Sequence, residues 1–529
     1  MSNKLTFAFG AACVTVALLV GCGGGGGGGG GGFPIVFPPV AGGSSVTVSG
    51  TATYESVPNL TGPLVYASTS VKPVRGATVE ALDAASSAQL AVTTSDDSGA
   101  YSVSVPANTT IIVRVRAQLT RTGAGPNWDV TVRDNTTQPN GLYSMQSAAF
   151  GAGTTAVTRD LRAATGWGGS SYTGPRVAAP FAVLDTVYTA MQKVLSVAPA
   201  TAFPVLRVFW SPNNKPAAGS IAAGDIGSTF FINRSTGREI YVLGREDVDT
   251  DEFDAPVIAH EWGHYYQSSF SRDDSPGGPH SLTDRIDRRL AFSEGWGNGW
   301  SGIALGRSNY VDSVGAQQSR GGNVNLAVGP STNPGWFREA SIHSIFWNLN
   351  QQVGFKPIHD AMTGIAFRAG APVTSIHPFT AAFNSAAPSS ASALASLLAG
   401  QSISAAANDP YGDLETNAGG TPTVSNVLPM YVPKITAPAT TTQACVSNVA
   451  GSDNKLGSFA YVRFTAPANR DYQFAVGAPA GAQADFDIYR GGLITRSSDK
   501  VSLGAGDYVL VVSDLNNSGA TTCFTVSIQ

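Results

Sequence analysis

Apolar residues recur along this chain with two different periods, and the places where the period changes divide it. Between residues 45 and 165 the period is two. Val46-Thr47-Val48-Ser49-Gly50, Thr78-Val79-Glu80-Ala81, Tyr101-Ser102-Val103-Ser104-Val105 and Ile111-Ile112-Val113-Arg114-Val115 alternate or run β-branched between Gly, Asp and Pro turns, which predicts strands. Near Ala179 the period lengthens. Val183, Leu184, Val187, Met191 and Leu195 share one face of a predicted helix over Phe181–Leu195. Val205–Trp210 reads as a strand, and Thr229–Asn233 with Arg238–Leu243 as a hairpin turning at Arg234–Gly237. Helical spacing returns at Val257–His264, from Asp284 past Gly302, over Phe337–Asn350 and through the Ala- and Leu-rich residues 351–400. From residue 430 alternation resumes, in Ala460–Phe464, Tyr472–Val476, Phe486–Tyr489 and Tyr508–Val512. The expected architecture is multidomain. It has an N-terminal β-sandwich over 45–165, a central α/β domain over 170–408 with a mixed sheet and a helical lower half, a linker over 409–429, and a C-terminal β-sandwich over 430–529.

The composition has the character of an exported protein. Of 529 residues only 13% are charged, about half the usual share for a globular chain. The net charge of −4 comes without a basic block, so nucleic acid is not an expected partner. Residues 1–22 carry Lys4 and then an apolar run from Phe7 to Val20, too short to span a membrane and of the length of a signal core. The run ends Leu19-Val20-Gly21-Cys22, which resembles the bacterial lipobox. That resemblance implies a mature chain beginning at a lipid-bearing Cys22, anchored to the cell envelope at the outer membrane or cell surface. Ten glycines, Gly23–Gly32, open a Gly/Pro-rich tether over 23–44; ten such residues span about 17 Å root-mean-square. With Cys13 removed and Cys22 lipidated, Cys445 and Cys523 remain and are most simply one disulfide.

The chemistry concentrates in Val257-Ile258-Ala259-His260-Glu261-Trp262-Gly263-His264. On a helix, His260 and His264 share a face and can present two imidazoles to one metal ion. Glu261 lies about 100° round the wheel, placed to act on a metal-held water as a general base without being a ligand. A third ligand is offered by Glu294, in Ser293-Glu294-Gly295-Trp296-Gly297-Asn298, with Asn298 one turn further on the same face. Gly295, Gly297 and Gly299 cost about 1 kcal/mol each in a helix interior, so they predict a close approach to the metal helix.

These two stretches resemble the gluzincin metallopeptidases, thermolysin-like and fungalysin-like branches, with the zincin fold. The resemblance implies Zn2+ on His260, His264 and Glu294, Glu261 as the base, and peptide or protein substrates. In fungalysins an acidic residue stands at the position of Asn298 and orients the first histidine; here it is an amide. The resemblance further implies that a strand before the motif helix is the sheet edge along which substrate pairs. Arg238, Glu239, Ile240, Tyr241 and Val242 are the candidates. It also implies a downstream oxyanion-stabilising residue: His343, with Tyr310, Tyr265 and Tyr266 as rivals. His280, alone in the loop Ser271–Thr283, is read as incidental.

The N-terminal strands, with Asp96-Asp97-Ser98-Gly99-Ala100-Tyr101, resemble the carboxypeptidase regulatory-like sandwich, where such a run is a hairpin turn. Asp485–Tyr489 and Ala505–Tyr508 resemble the pre-peptidase C-terminal sandwich of secreted proteases. Calcium is a further candidate cofactor. Asp247, Asp249 and Asp251 have the spacing of a calcium loop, but Glu252 stands where an EF-hand needs glycine, and Asp254 with Pro256 reads as a helix cap. Asp409, Asp413 and Glu415 also leave calcium open. The competing function is a surface-displayed binding or adhesion lipoprotein whose zincin fold has lost catalysis.

Overall fold

The computed structural model describes residues 44–416 and 427–529; the signal segment, Cys22, the tether and the middle of the 409–429 linker lie outside the described residues. The longest N-terminal strand, Ser45–Ser56, buries every second residue, as its alternation requires. It pairs antiparallel with Ala100–Pro106 and Ser70–Pro73 and parallel with Val157–Thr158 and Leu161–Ala163. Thr110–Arg121, with Ile111, Val113, Val115, Ala117 and Leu119 buried, belongs to a second, ten-stranded sheet.

That second sheet crosses the expected boundary between 165 and 170. Its order runs Phe230–Arg234, Gly237–Val242, Leu206–Trp210, Trp128–Asp134, Thr110–Arg121, Ala77–Asp83, Gln89–Thr94. Leu206–Trp210 lies parallel to Trp128–Asp134, with Leu206 opposite Val130. The N-terminal strands Ala77–Asp83, Gln89–Thr94, Thr110–Arg121 and Trp128–Asp134 are therefore in one hydrogen-bonded layer with the central strands, while Ser45–Ser56 and its partners form a separate sheet. Period-two alternation marks both strands but does not reveal which strands pair, because pairing is non-local. Helix α1 (Ala178–Leu195) packs on the shared layer; its Asp185 accepts from Tyr54 Oη at 2.8 Å and Arg75 Nε at 2.6 Å.

Below the sheet lie α2 (Ala255–Phe270), α3 (Arg288–Leu305) and α4 (Glu339–Val353), followed by four shorter helices through Gly400. A small sheet of Gly244–Arg245, Asp249–Thr250, Asn309–Val314 and Arg320–Asn325 flanks α2 and α3. The C-terminal region stacks a five-stranded sheet on a four-stranded one around its own core of Val462, Phe464, Phe474, Leu510, Phe524 and Val526. Cys445 and Cys523 form a disulfide between directly opposed positions of Ala439–Val446 and Thr522–Ile528. Closing that loop stabilises by about 4–5 kcal/mol in the chain-entropy account.

The C-terminal sandwich docks on the start of α3. Asp287 caps the helix by accepting from Arg289 N and also accepts from the Tyr461 hydroxyl. The Arg289 guanidinium, 1% exposed, pairs with Asp287 at 2.8 Å and lies 4.5 Å from the Phe459 ring centre.

Candidate functional site

Helix α2 begins after Asp254, with Pro256 in its first turn. The Asp254 carboxylate is spent elsewhere: it accepts from Ser313 N at 2.8 Å, Ser313 Oγ at 2.6 Å and Asn59 Nδ2, and makes no side-chain cap. Trp262, Tyr265 and Tyr266 turn into the core, which leaves His260 and His264 on the face toward α3. Their Nε2 atoms are 3.0 Å apart. Glu294 Oε2 stands 3.1 Å from His260 Nε2 and 3.5 Å from His264 Nε2.

The approach depends on α3, buried from Arg288 to Ala304. A Cβ on Gly297 would lie 2.7 Å from His260 Cε1, and one on Gly263 3.2 Å from Gly297 Cα. The other two glycines serve α4 instead: a Cβ on Gly295 would meet Ile342 Cβ at 2.4 Å and one on Gly299 Phe346 Cβ at 2.8 Å. α3 is thus pressed between α2 and α4, rather than against α2 alone.

Both imidazoles are fixed from behind. His260 Nδ1 is 2.9 Å from Asn298 Oδ1, and Asn298 Nδ2 donates to Glu339 Oε1 at 2.5 Å. Since the amide nitrogen is committed to Glu339, the oxygen faces the ring. His260 therefore carries its proton on Nδ1 and leaves the Nε2 lone pair to the site. Ser293 Oγ gives its proton to Asp273 Oδ2 at 2.9 Å and lies 3.3 Å from His264 Nδ1, so it accepts there and sets the same tautomer.

These three donors fit a zinc ion. Tetrahedral ligands about 2.1 Å from one ion stand about 3.4 Å apart, close to the separations found. The set of two imidazole nitrogens and one carboxylate oxygen suits that ion. Burial alone would raise the Glu294 pKa; His264, with hydrogen bonds from His260, His264 and His280, holds it well below the usual carboxylate range. Glu261 does not join the cluster. Burial pushes its pKa up, and its Oε2 accepts from Phe231 N at 2.8 Å. The cleft has a volume of about 820 Å³ and is lined by these groups together with Phe230, Phe231, His280 and Tyr310.

Two expectations fail here. Arg238–Val242 is not the sheet edge: Gly237–Val242 lies between Leu206–Trp210 and Phe230–Arg234. Ile240 and Val242 are fully buried, as an interior strand requires, and the edge is Phe230–Arg234. Nor does His343 reach the cleft. It is fully buried on α4, 3.3 Å from Val328 O through Nε2. Tyr265 donates to Pro204 O at 2.6 Å, and the Tyr266 hydroxyl lies 2.8 Å from His359 Nδ1, so neither serves the cleft. Tyr310 does line it, its ring centre 6.0 Å from that of His260.

His280, read as incidental, is in the site. Its Nε2 is 3.4 Å from Glu294 Oε2 and 3.7 Å from Glu339 Oε2. The signal for it was the setting: a histidine after Gly277-Gly278-Pro279, in a loop joining two helices that must meet. Asp273, Ser293 and Glu339 carried no such signal. Of the other acidic groups, Asp96 makes the expected turn, accepting from Ser98 N at 2.8 Å and Ala100 N at 2.9 Å. Asp409 likewise accepts from Asp413 N and Leu414 N, while Glu415 pairs with His377.

The chain matches no family model and no curated protein. Among solved structures it is similar to the pre-peptidase C-terminal domain of collagenase from Bacillus anthracis, at 12% identity, over 18% of this chain and 92% of that one, with a TM-score of 0.15. It is also similar to PliG, a periplasmic inhibitor of g-type lysozyme from Aeromonas hydrophila, at 16% identity over 18% and 96% of the two chains, with a TM-score of 0.13. A 9R-lipoxygenase from Cyanothece PCC8801 aligns at 8% identity over 29% and 24%, with a TM-score of 0.14. At these scores the similarities are local and assign no fold to the whole chain.

Proposed function

We propose that this chain is a zinc-dependent peptidase of gluzincin type, exported and held to the envelope by lipid on Cys22. One observation carries the reading: His260, His264 and Glu294 converge in a cleft that also holds Glu261 and borders an edge strand. No helix among the described residues is long and apolar enough to cross a membrane.

The ion, when bound, supplies a Lewis acid that acidifies a water and polarises the scissile carbonyl. Everything else is done by side chains and backbone. Glu261 takes the water's proton and delivers it to the leaving amine, while Phe231 N–H holds its carboxylate in place. His280 and Tyr310, the polar groups overhanging the metal ligands, donate to the oxyanion of the tetrahedral intermediate. Phe231 N points away from the sheet, and the alternation of an antiparallel ladder puts Asn233 on the same outward row. A substrate backbone adds beside that row as a further strand.

The test is metal analysis together with digestion of a proteome-derived peptide library. We expect about one zinc per chain, and a Glu261→Gln variant that keeps the zinc and loses cleavage by about 10²–10⁴-fold. Cleavage indifferent to Glu261→Gln would refute the mechanism. Bound zinc with no peptide cleaved is the result a binding lipoprotein would give.

A further inference from the structure

A second acidic group is formed by the segment before α2 and the strand Asn309–Val314. Asp249, Asp251 and Asp312 bring one carboxylate oxygen each to within 4.8 Å of one another. Asp251 is 2% exposed, and its Oδ1 meets no hydrogen-bond donor; Asp249 Oδ1 and Asp312 Oδ1 are also buried without partners. Among the described residues no Lys, Arg or His pairs with any of the three. The neighbouring acids differ sharply. Glu252 is paired with Arg176 and lies 3.3 Å from Trp210 Nε1, and Asp254 takes the Ser313 and Asn59 donors. Buried carboxylates that converge without counter-charge are costly, and protein interiors tolerate them when a cation completes the group.

We infer that Asp249, Asp251 and Asp312 bind a hard divalent cation of the calcium class, at a site separate from the histidine cluster. The donor set is all oxygen, which excludes a preference for thiolate- or imidazole-seeking metals. Partial exposure of Asp249 and Asp312 leaves room for the water ligands calcium takes. The site is not an EF-hand, because its third ligand comes from a strand more than fifty residues away along the chain.

Its position gives the ion a task. Asp249 and Asp251 lie just before α2, and Asp312 shares the strand Asn309–Val314 with Tyr310. The second Asp251 oxygen accepts from Thr229 Oγ1, which sits immediately before the edge strand that holds Glu261 through Phe231 N. The cation would tie together three segments that wall the cleft. Only this last coupling rests on the proposed peptidase reading.

The test is calcium binding to the full chain after dialysis into metal-depleted buffer, read by flow dialysis with radioactive calcium and by thermal unfolding. We expect one calcium per chain and a Tm raised by a few degrees in millimolar calcium, with magnesium doing far less. Asp251→Asn and Asp312→Asn should each lose the calcium and the rise, while melting in calcium-free buffer no lower than the unsubstituted chain, because mutual repulsion is relieved. His260→Ala should keep the calcium. Absence of calcium binding by the unsubstituted chain, its retention in both aspartate variants, or its loss in His260→Ala would each overturn the site. Stoichiometry decides this even if no peptide is cleaved. Should cleavage be found, calcium removal is expected to lower it severalfold in the unsubstituted chain and not in Asp312→Asn.

Discussion

Two imidazoles in this fold are held in the tautomer a metal ligand needs by partners that carry no charge. Asn298 and Ser293 face the rings, and the carboxylates of Glu339 and Asp273 stand one residue further out. That arrangement fixes ring orientation while lending less basicity than a carboxylate in direct contact. His343 has contrasting surroundings. Its Nε2–H donates to Val328 O, its buried Nδ1 has no hydrogen-bond partner, and burial lowers its pKa from 6.5 to about 4. Between those values the unfolded chain binds the extra proton and the folded chain does not. The contribution to stability is therefore complete above pH 6.5 and is lost as pH falls toward 4. Urea unfolding at the two ends of that window should show about 3 kcal/mol more acid loss in the unsubstituted chain than in His343→Gln. Equal losses would contradict the burial account. The placing of His260, Glu261 and His264 on one helix follows from spacing because helical periodicity is local, whereas Glu294 stands on a second helix and its meeting with them depends on how α2 and α3 pack. His280 and His343 could not be ranked that way, since a loop's reach and a helix's inward face depend on how helices pack.

At the scale of elements, α3 is the piece on which the site turns. Its run of glycines would weaken an isolated helix by about 1 kcal/mol each, and every one of them is matched by a neighbour standing where a Cβ would go. The sequence therefore announced close packing, but glycine has no side chain to say against which helix. Gly297→Ala puts a methyl 2.7 Å from the His260 ring. We expect the helix to form and zinc affinity, measured by chelator competition, to fall by about tenfold or more. Gly295→Ala strikes Ile342 instead and should lower thermal stability rather than affinity. Unchanged zinc affinity in Gly297→Ala would show that the ring can move without cost. Strand order was hidden for a related reason. The hairpin was plain from its turn, but which arm lies inside is settled by partners elsewhere in the chain. Only the continuous Ile240-Tyr241-Val242-Leu243 run, against the polar end of Phe230–Arg234, hinted that the second arm is interior.

At the scale of the whole molecule, the regions that local periodicity separates are mechanically joined. Leu206–Trp210 has Trp128–Asp134 on one side and Gly237–Val242 on the other, so one of the two N-terminal sheets is continuous with the layer on which α1 lies. Tyr54 and Arg75 anchor Asp185 of α1, and Val130, Val132, Val183, Val187, Leu206 and Val208 share one core. Exposing a half-dozen such side chains costs about 1.5–3 kcal/mol each, which together matches or exceeds the net stability of an ordinary domain, about 5–15 kcal/mol. The C-terminal sandwich contributes differently. It has its own core and disulfide, and it touches the remainder where Tyr461 and Phe459 surround Asp287 and Arg289, and where Asn454 and Lys455 donate to Gly277 O and Pro279 O beside His280. The two ends should therefore respond unequally to removal. A chain ending at residue 429 is expected to keep a cooperative unfolding transition at reduced Tm, because α3 loses a buttress at its first turn and nothing from its interior. A chain beginning at residue 170, the start of the central domain as periodicity alone would draw it, should show helical far-ultraviolet circular dichroism without a cooperative melt. If that shorter chain melts cooperatively and binds zinc as the longer one does, the shared sheet is not what holds the central layer together.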